Sequence, residues 1–176
     1  MRMNSLAIWA ALAVSTLAAA PAAAQGLPGG ASSLNETYTN WVLSCVAPEG
    51  AKRCAITHSQ QDPQSRQRIL AMELSKDGAP EGGLRGLLVM PFGLKLADGV
   101  VLGAPELAPS ELAFSTCLPA GCIIPLSFDA AFVASLAKGG AAEMRATAAD
   151  GGKEVVFSLP LDGFGAAVAR LGELSN

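Results

Sequence analysis

The sequence predicts a mostly antiparallel β-sandwich with two brief helices late in the chain, and three observations carry that expectation. About eight short runs alternate apolar and polar residues with period two, each bounded by turn-forming residues. The helical period appears only twice, both times after residue 128. Strand-like and helix-like runs do not alternate along the chain, as they would in a parallel α/β sheet. With 176 residues, 51% of them hydrophobic, the chain is long enough for one domain with a real core. That core must be assembled from small and medium side chains, since 33 residues are Ala and only 5% are aromatic.

The first segment stands apart from the fold. Arg2 lies beside the amino terminus, Leu6 to Ala20 is apolar, and Ala22-Ala23-Ala24 precedes Gln25, the pattern of a secretory signal over 1–24 cleaved after Ala24. An uncleaved anchor is disfavoured, because the apolar run falls short of the roughly 20 residues a spanning helix needs. No later segment reaches that length, so the mature chain is expected to have no membrane span. Residues 25–38 read as a flexible leader, rich in Gly, Pro, Ser and Ala up to Ser33, ahead of a domain over 39–174.

Within that domain Trp41, Leu43 and Cys45 alternate with Val42, Ser44 and Val46, and Cys54, Ile56 and His58 with Ala55, Thr57 and Ser59. These are two strands sharing an inner face, joined over Pro48-Glu49-Gly50, with His58 at a strand end where its polar tip reaches solvent. A third strand follows the polar loop 60–65, with Leu70, Met72 and Leu74 in alternation, and a fourth covers 84–89 before Pro91-Phe92-Gly93 breaks it. Short strands are expected at 99–102 and 112–117, with Pro105 and Pro109 fixing the loop between them, and at 122–126. A helix over 129–138 places Phe132, Val133, Leu136 and Ala137 on one face, capped by Asp129 and ended by Gly139. A hairpin over 141–148 and 154–159 turns at Asp150-Gly151-Gly152, and a last helix over 162–171 spaces Phe164, Ala167, Val168 and Leu171 helically.

A secretory signal changes how the four cysteines are read, because an oxidising compartment favours disulfides. Of three possible pairings, turn chemistry and proximity favour Cys45 with Cys54 and Cys117 with Cys122. The first pair faces across a hairpin; the second closes a six-residue ring over Leu118-Pro119-Ala120-Gly121. Loop closure assigns each ring on the order of 2 to 3 kcal/mol.

Several chemistries are excluded. Fifteen Asp and Glu against twelve Lys and Arg leave a net charge of -3 and no basic cluster for nucleic acid. His58 is the sole histidine, and no Gly-x-Ser-x-Gly elbow accompanies it, so a Ser/His/Asp triad lacks its parts. With one histidine and committed cysteines, no metal or other cofactor is expected. Cys117 and Cys122 lack the Cys-x-x-Cys spacing of a redox pair and read as a staple. Asp62, Glu73, Asp98, Glu106 and Glu111 are scattered over loops and strand ends, with nothing in the sequence to pair two of them as a glycosidase requires. Gly82-Gly83 and Gly139-Gly140 lack the setting of a phosphate-binding loop and read as turns.

In order and spacing, Trp41-x3-Cys45, Cys54, Pro91-Phe92-Gly93 with Gly99-Val100, Cys117-x3-Gly121-Cys122, and Leu159-Pro160-Leu161-Asp162-Gly163-Phe164-x-x-Ala167 resemble the invasion-associated locus B family over nearly all of residues 39 to 171. The resemblance implies a secreted or periplasmic bacterial protein with an immunoglobulin-like β-sandwich and two local disulfides, and it carries no catalytic residues. The chain departs from it at Gly103-Ala104-Pro105, where relatives often have an acidic residue. At the matched positions Trp41 is expected to anchor the core, Gly121 to take a positive φ or a close approach, and Gly163-Phe164 to start the last helix. The resulting expectation is a non-enzymatic interaction module of the bacterial envelope whose partner is an envelope or host protein. A thiol-disulfide or stress-response component of the envelope, cycling Cys117 and Cys122, is the alternative.

Overall fold

The computed structural model describes residues 26–48, 51–104 and 107–175. The expected signal segment, along with Glu49, Gly50, Pro105 and Glu106, lies outside the described residues.

Eleven strands among the described residues form two antiparallel sheets. The large sheet runs β1 (Ser33–Tyr38), β2 (Trp41–Val46), β3 (Arg53–Gln61), β4 (Arg68–Ser75), β5 (Leu84–Met90), β9 (Gly121–Phe128) and β8 (Thr116–Leu118) in spatial order. The small sheet runs β11 (Glu154–Pro160), β10 (Ala141–Thr147), β6 (Val100–Ala104) and β7 (Leu107–Leu112). Two short helices, α1 (Ala130–Leu136) and α2 (Phe164–Leu174), come late in the chain. This is the antiparallel β-sandwich that the sequence predicts.

Alternation decides which side chains face inward. Trp41, Leu43 and Cys45 of β2, Ile56 of β3, Leu70, Met72 and Leu74 of β4 and Leu88 of β5 are buried, and they join Leu102, Met144 and Leu159 of the small sheet in one core. Helix α2 packs on β1, β2 and β3, burying Phe164, Ala167, Leu171 and Leu174. The Trp41 ring meets Phe164 edge-on at 4.9 Å, and its Nε1 donates to the Pro160 carbonyl at 3.0 Å, tying the two sheets and α2 to one residue.

The expected leader is a correction. Residues 33–38 form β1, which pairs with β2 along its whole length through a two-residue turn at Thr39-Asn40, and Leu27 is buried. Its inward positions are Leu34, Glu36 and Tyr38, and a carboxylate among them disguises the apolar alternation. Arg170 of α2 supplies the partner: its Nε and Nη2 each reach a Glu36 carboxylate oxygen at 3.0 Å.

The expected strand at 112–117 is also corrected. The chain is strand on either side of Ala113–Ser115, first as β7 in the small sheet and then as β8 in the large one. Pro109 lies inside β7 rather than in a loop, which a missing N–H permits because β7 is an edge strand with an irregular register beside Leu102–Ala104. Helix α1 is shorter than expected, and Ala137 is exposed beyond it; α2 begins at Phe164 and runs three residues past Leu171. The Asp129 side chain caps α1, accepting from the Phe132 N–H at 2.7 Å.

Pro91-Phe92-Gly93 carries the chain from one sheet to the other. Beyond β5, Gly93 at φ 87° accepts from the Ala149 N–H, Leu94 bridges to Ala148 and the Lys95 N–H donates to the Thr147 carbonyl. Gly121, at φ 136°, lies where a β-carbon would collide with the Met90 carbonyl.

Candidate functional site

The small sheet has one dry face and one open face. Val100, Leu102, Ala142, Met144, Ala146 and Leu159 point into the core. The alternate positions, Val101 and Gly103 of β6, Glu143 and Arg145 of β10, Val156 and Ser158 of β11 and Glu111 of β7, point away from it. In register, Gly103 stands opposite Glu143, and Val101 opposite both Arg145 and Glu111. Small residues at Gly103 and Ala104, the last two of β6, and at Ala141, the first of β10, lower this end of the face, leaving an open groove of about 580 Å³. Val101, Pro109 and Ser158 complete its lining, and Glu143 and Arg145 form its polar side.

Charge on this face is lopsided. The four strands carry Glu111, Glu143 and Glu154 against Arg145 alone. Arg145 Nη2 donates to Glu143 Oε2 at 2.7 Å, and that bond, with the charges of Glu143 and then Glu154, raises the Arg145 pKa. The guanidinium is thus engaged by its neighbour, while Glu111 and Glu154 are exposed.

Each edge of the small sheet is partly engaged or interrupted. On β11 the Ser158 carbonyl accepts from Gln60 Nε2 at 2.8 Å and the Pro160 carbonyl from Trp41 Nε1. On β7 Pro109 removes one donor at the irregular register.

His58 corrects its expected place at a strand end. It sits within β3, buried, with its Nδ1 2.6 Å from the Asn40 carbonyl and its Nε2 2.9 Å from Gln60 Nε2. A carbonyl accepts and an amide nitrogen donates, so these partners suit Nδ1 as the donor and Nε2 as the acceptor. Its ring lies 5.4 Å from Trp41. These contacts join the β1–β2 turn to β3, and Gln60 carries the link on to Ser158 of β11.

The other sequence-predicted positions fall into place separately. Cys45–Cys54 links directly opposed residues of β2 and β3 inside the core, and Cys117–Cys122 links opposed residues of β8 and β9. Cys45, Cys54 and Cys122 are buried, whereas Cys117 is exposed. Trp41 and Phe164 are core, and Pro91, Gly93, Gly121 and Gly163 are points of backbone geometry. The structure does not gather the carboxylates. Asp62 accepts from the Gln64 and Ser65 N–H groups and the Ser65 hydroxyl, which hold its carboxyl below the usual range. Asp98 pairs with Lys95 at 2.9 Å, Glu73 projects from β4, and Glu106 lies outside the described residues. Among the described residues no three His, Cys, Asp or Glu side chains converge on a metal-sized site.

Of the groove residues, the sequence marks Gly103 and Ala104 only as a departure from the family pattern, and it does not single out Val101, Ala141, Glu143 or Arg145. Their signal was the polar half of the alternation around Ala142, Met144 and Ala146. A surface strand carries that signal whether or not a neighbouring glycine hollows the face.

Fold and site define a disulfide-stapled antiparallel β-sandwich whose small sheet carries a groove on its outward face. The sequence profile of the Invasion associated locus B (IalB) protein family matches residues 41–172. An Invasion protein B homolog of Brucella abortus (strain 2308) is 41% identical over 173 residues, covering 98% of this chain and 99% of that protein. Invasion protein B of Bartonella bacilliformis is 37% identical over 185 residues, covering 99% and 98%. The crystal structure of invasion associated protein B from Bartonella henselae aligns with a TM-score of 0.74 at 33% identity, covering 81% of this chain and 97% of that one. This chain belongs to the invasion-associated locus B family.

Proposed function

We propose that this protein is a non-enzymatic interaction module of the bacterial envelope, periplasmic or secreted, which engages an envelope or host protein through the open face of its small sheet. The observation that carries this reading is the groove: an apolar floor on a face whose residues are exposed or half-buried, beside the Glu143–Arg145 pair. Two disulfides and an amino-terminal sequence of signal type are compatible with an oxidising compartment outside the cytoplasm. No helix among the described residues is long and apolar enough to cross a membrane. The name invasion protein B, borne by relatives, supports an encounter at the cell surface. Cross-linking in living cells followed by mass spectrometry tests the reading. One stoichiometric protein partner joined through β6, β10 or β11 is expected, and recovery of the chain alone counts against it.

The exposure of Cys117 favours a second reading, a thiol-disulfide component of the envelope. Its test is alkylation before and after mild reduction. A structural staple stays closed, whereas a cycling pair is trapped as an adduct through Cys117.

A further inference from the structure

We infer that the groove on the small sheet receives a short basic segment of a partner polypeptide, with one bulky apolar side chain seated over Gly103 and flanking Lys or Arg side chains directed at the exposed Glu111 and Glu154. This rests on the interaction-module reading and specifies the chemistry of the partner.

Shape supplies the first half. The lining reaches from Pro109 of β7 across β6 and β10 to Ser158 of β11, three inter-strand spacings or roughly 14 Å, the length of about four extended residues. Its floor is lowest where residues are smallest. A β-carbon added at Gly103 would meet no atom of the described residues within 4 Å, so among them the space above it is open to a side chain from outside. Val101, Ala104, Pro109 and Ala141 around it offer apolar contact, which suits one anchor residue.

Charge supplies the second half. The only cation on the four strands, Arg145, is already bonded to Glu143, and Glu111 and Glu154 lie exposed on the same face. An acidic segment or an anionic lipid headgroup would meet net repulsion, and a basic segment attraction. Main-chain pairing is restricted, since Gln60 and Trp41 occupy the carbonyls of Ser158 and Pro160 on one edge and Pro109 interrupts the other. Recognition falls to side chains on the face.

The test is fluorescence polarisation with the disulfide-intact protein and three labelled octapeptides: one with a central Phe between lysines, one with the same Phe between glutamates, and one with lysines and no apolar residue. Binding of the Lys-Phe peptide, at least about tenfold tighter than either control and weakened by added salt, is expected. Gly103→Leu fills the groove at a position with room and no positive φ, and should weaken that binding about tenfold or more with little change in melting temperature. Glu111→Lys with Glu154→Lys, both on the exposed face, should weaken it several-fold while leaving the fold intact. Equal affinity for the Glu-Phe peptide, or unaltered binding in both variants, overturns the inference. So does an absence of binding to all three peptides, or binding instead to vesicles of anionic phospholipid. A partner cross-linked in cells through the same face would still uphold the interaction module in each of those cases, with a different ligand chemistry.

Discussion

At Gly163 the backbone enters α2 at φ 88°, with the Tyr38 carbonyl so near that a β-carbon has no room. Any other residue would pay twice, for the left-handed conformation and for displacing the end of β1. Gly163→Ala is therefore expected to destabilise the protein by about 2 kcal/mol or more, lowering the thermal midpoint by several degrees for a domain of this size. An unaltered midpoint would show that the turn relaxes freely. Trp41 and Phe164 illustrate the opposite kind of residue. Their size and spacing mark them as core in the sequence, and both are fully buried. His58 is harder to read, because period two puts it on the inner face but says nothing of its partners. Asn40 and Gln60, which make its buried ring acceptable, are ordinary polar residues in sequence.

At the scale of elements, β2 and β3 are legible because apolar residues alternate on both sides of a turn and the cysteines fall directly opposite each other. The β10–β11 hairpin is legible for similar reasons, with Asp150-Gly151-Gly152 in its turn and positive φ at both glycines. β1 is not. Its inward Glu36 breaks the pattern, its hairpin turn uses Thr39 at φ 51° in place of the usual glycine, and its charge partner is 134 residues away. β7 hides behind Pro109, which by composition signals a loop. Because β1 forms the edge of the large sheet and supports α2, a chain starting at Thr39 should lose more than a tail. Removal of Leu27, Leu34 and Tyr38 from the core rim should cost on the order of 3 kcal/mol. Urea unfolding of the shortened chain checks this, and a midpoint equal to that of the longer chain would return 25–38 to the status of a leader.

Over the whole molecule, the groove was less legible than the core, because hollowing depends on which small residues of four different strands come together, and register between distant strands is not written locally. Gly103 and Glu143 are opposed only once β6 and β10, which are far apart in sequence, have paired. The same holds for the clasp between the first strand and the last helix, whose pH dependence follows from its geometry. Arg170, and then the Tyr38 hydroxyl at 2.6 Å, hold the Glu36 carboxyl below its ordinary pKa, while the Tyr38 phenol is raised by that same bond. A carboxylate with a lowered pKa binds its proton less readily folded than unfolded, so the unfolded chain takes up more protons as the solution is acidified. The contribution of Glu36 is thus complete above the usual carboxylate range and lost as pH falls through the lowered value. Both partners are partly solvent-accessible, so screening keeps the effect modest and dependent on salt. Glu36→Gln should lower the thermal midpoint at neutral pH and flatten its decline on the acid side, the two curves converging where the native carboxylate is protonated. Parallel curves across the whole acid range would mean that the clasp between β1 and α2 is held by packing alone.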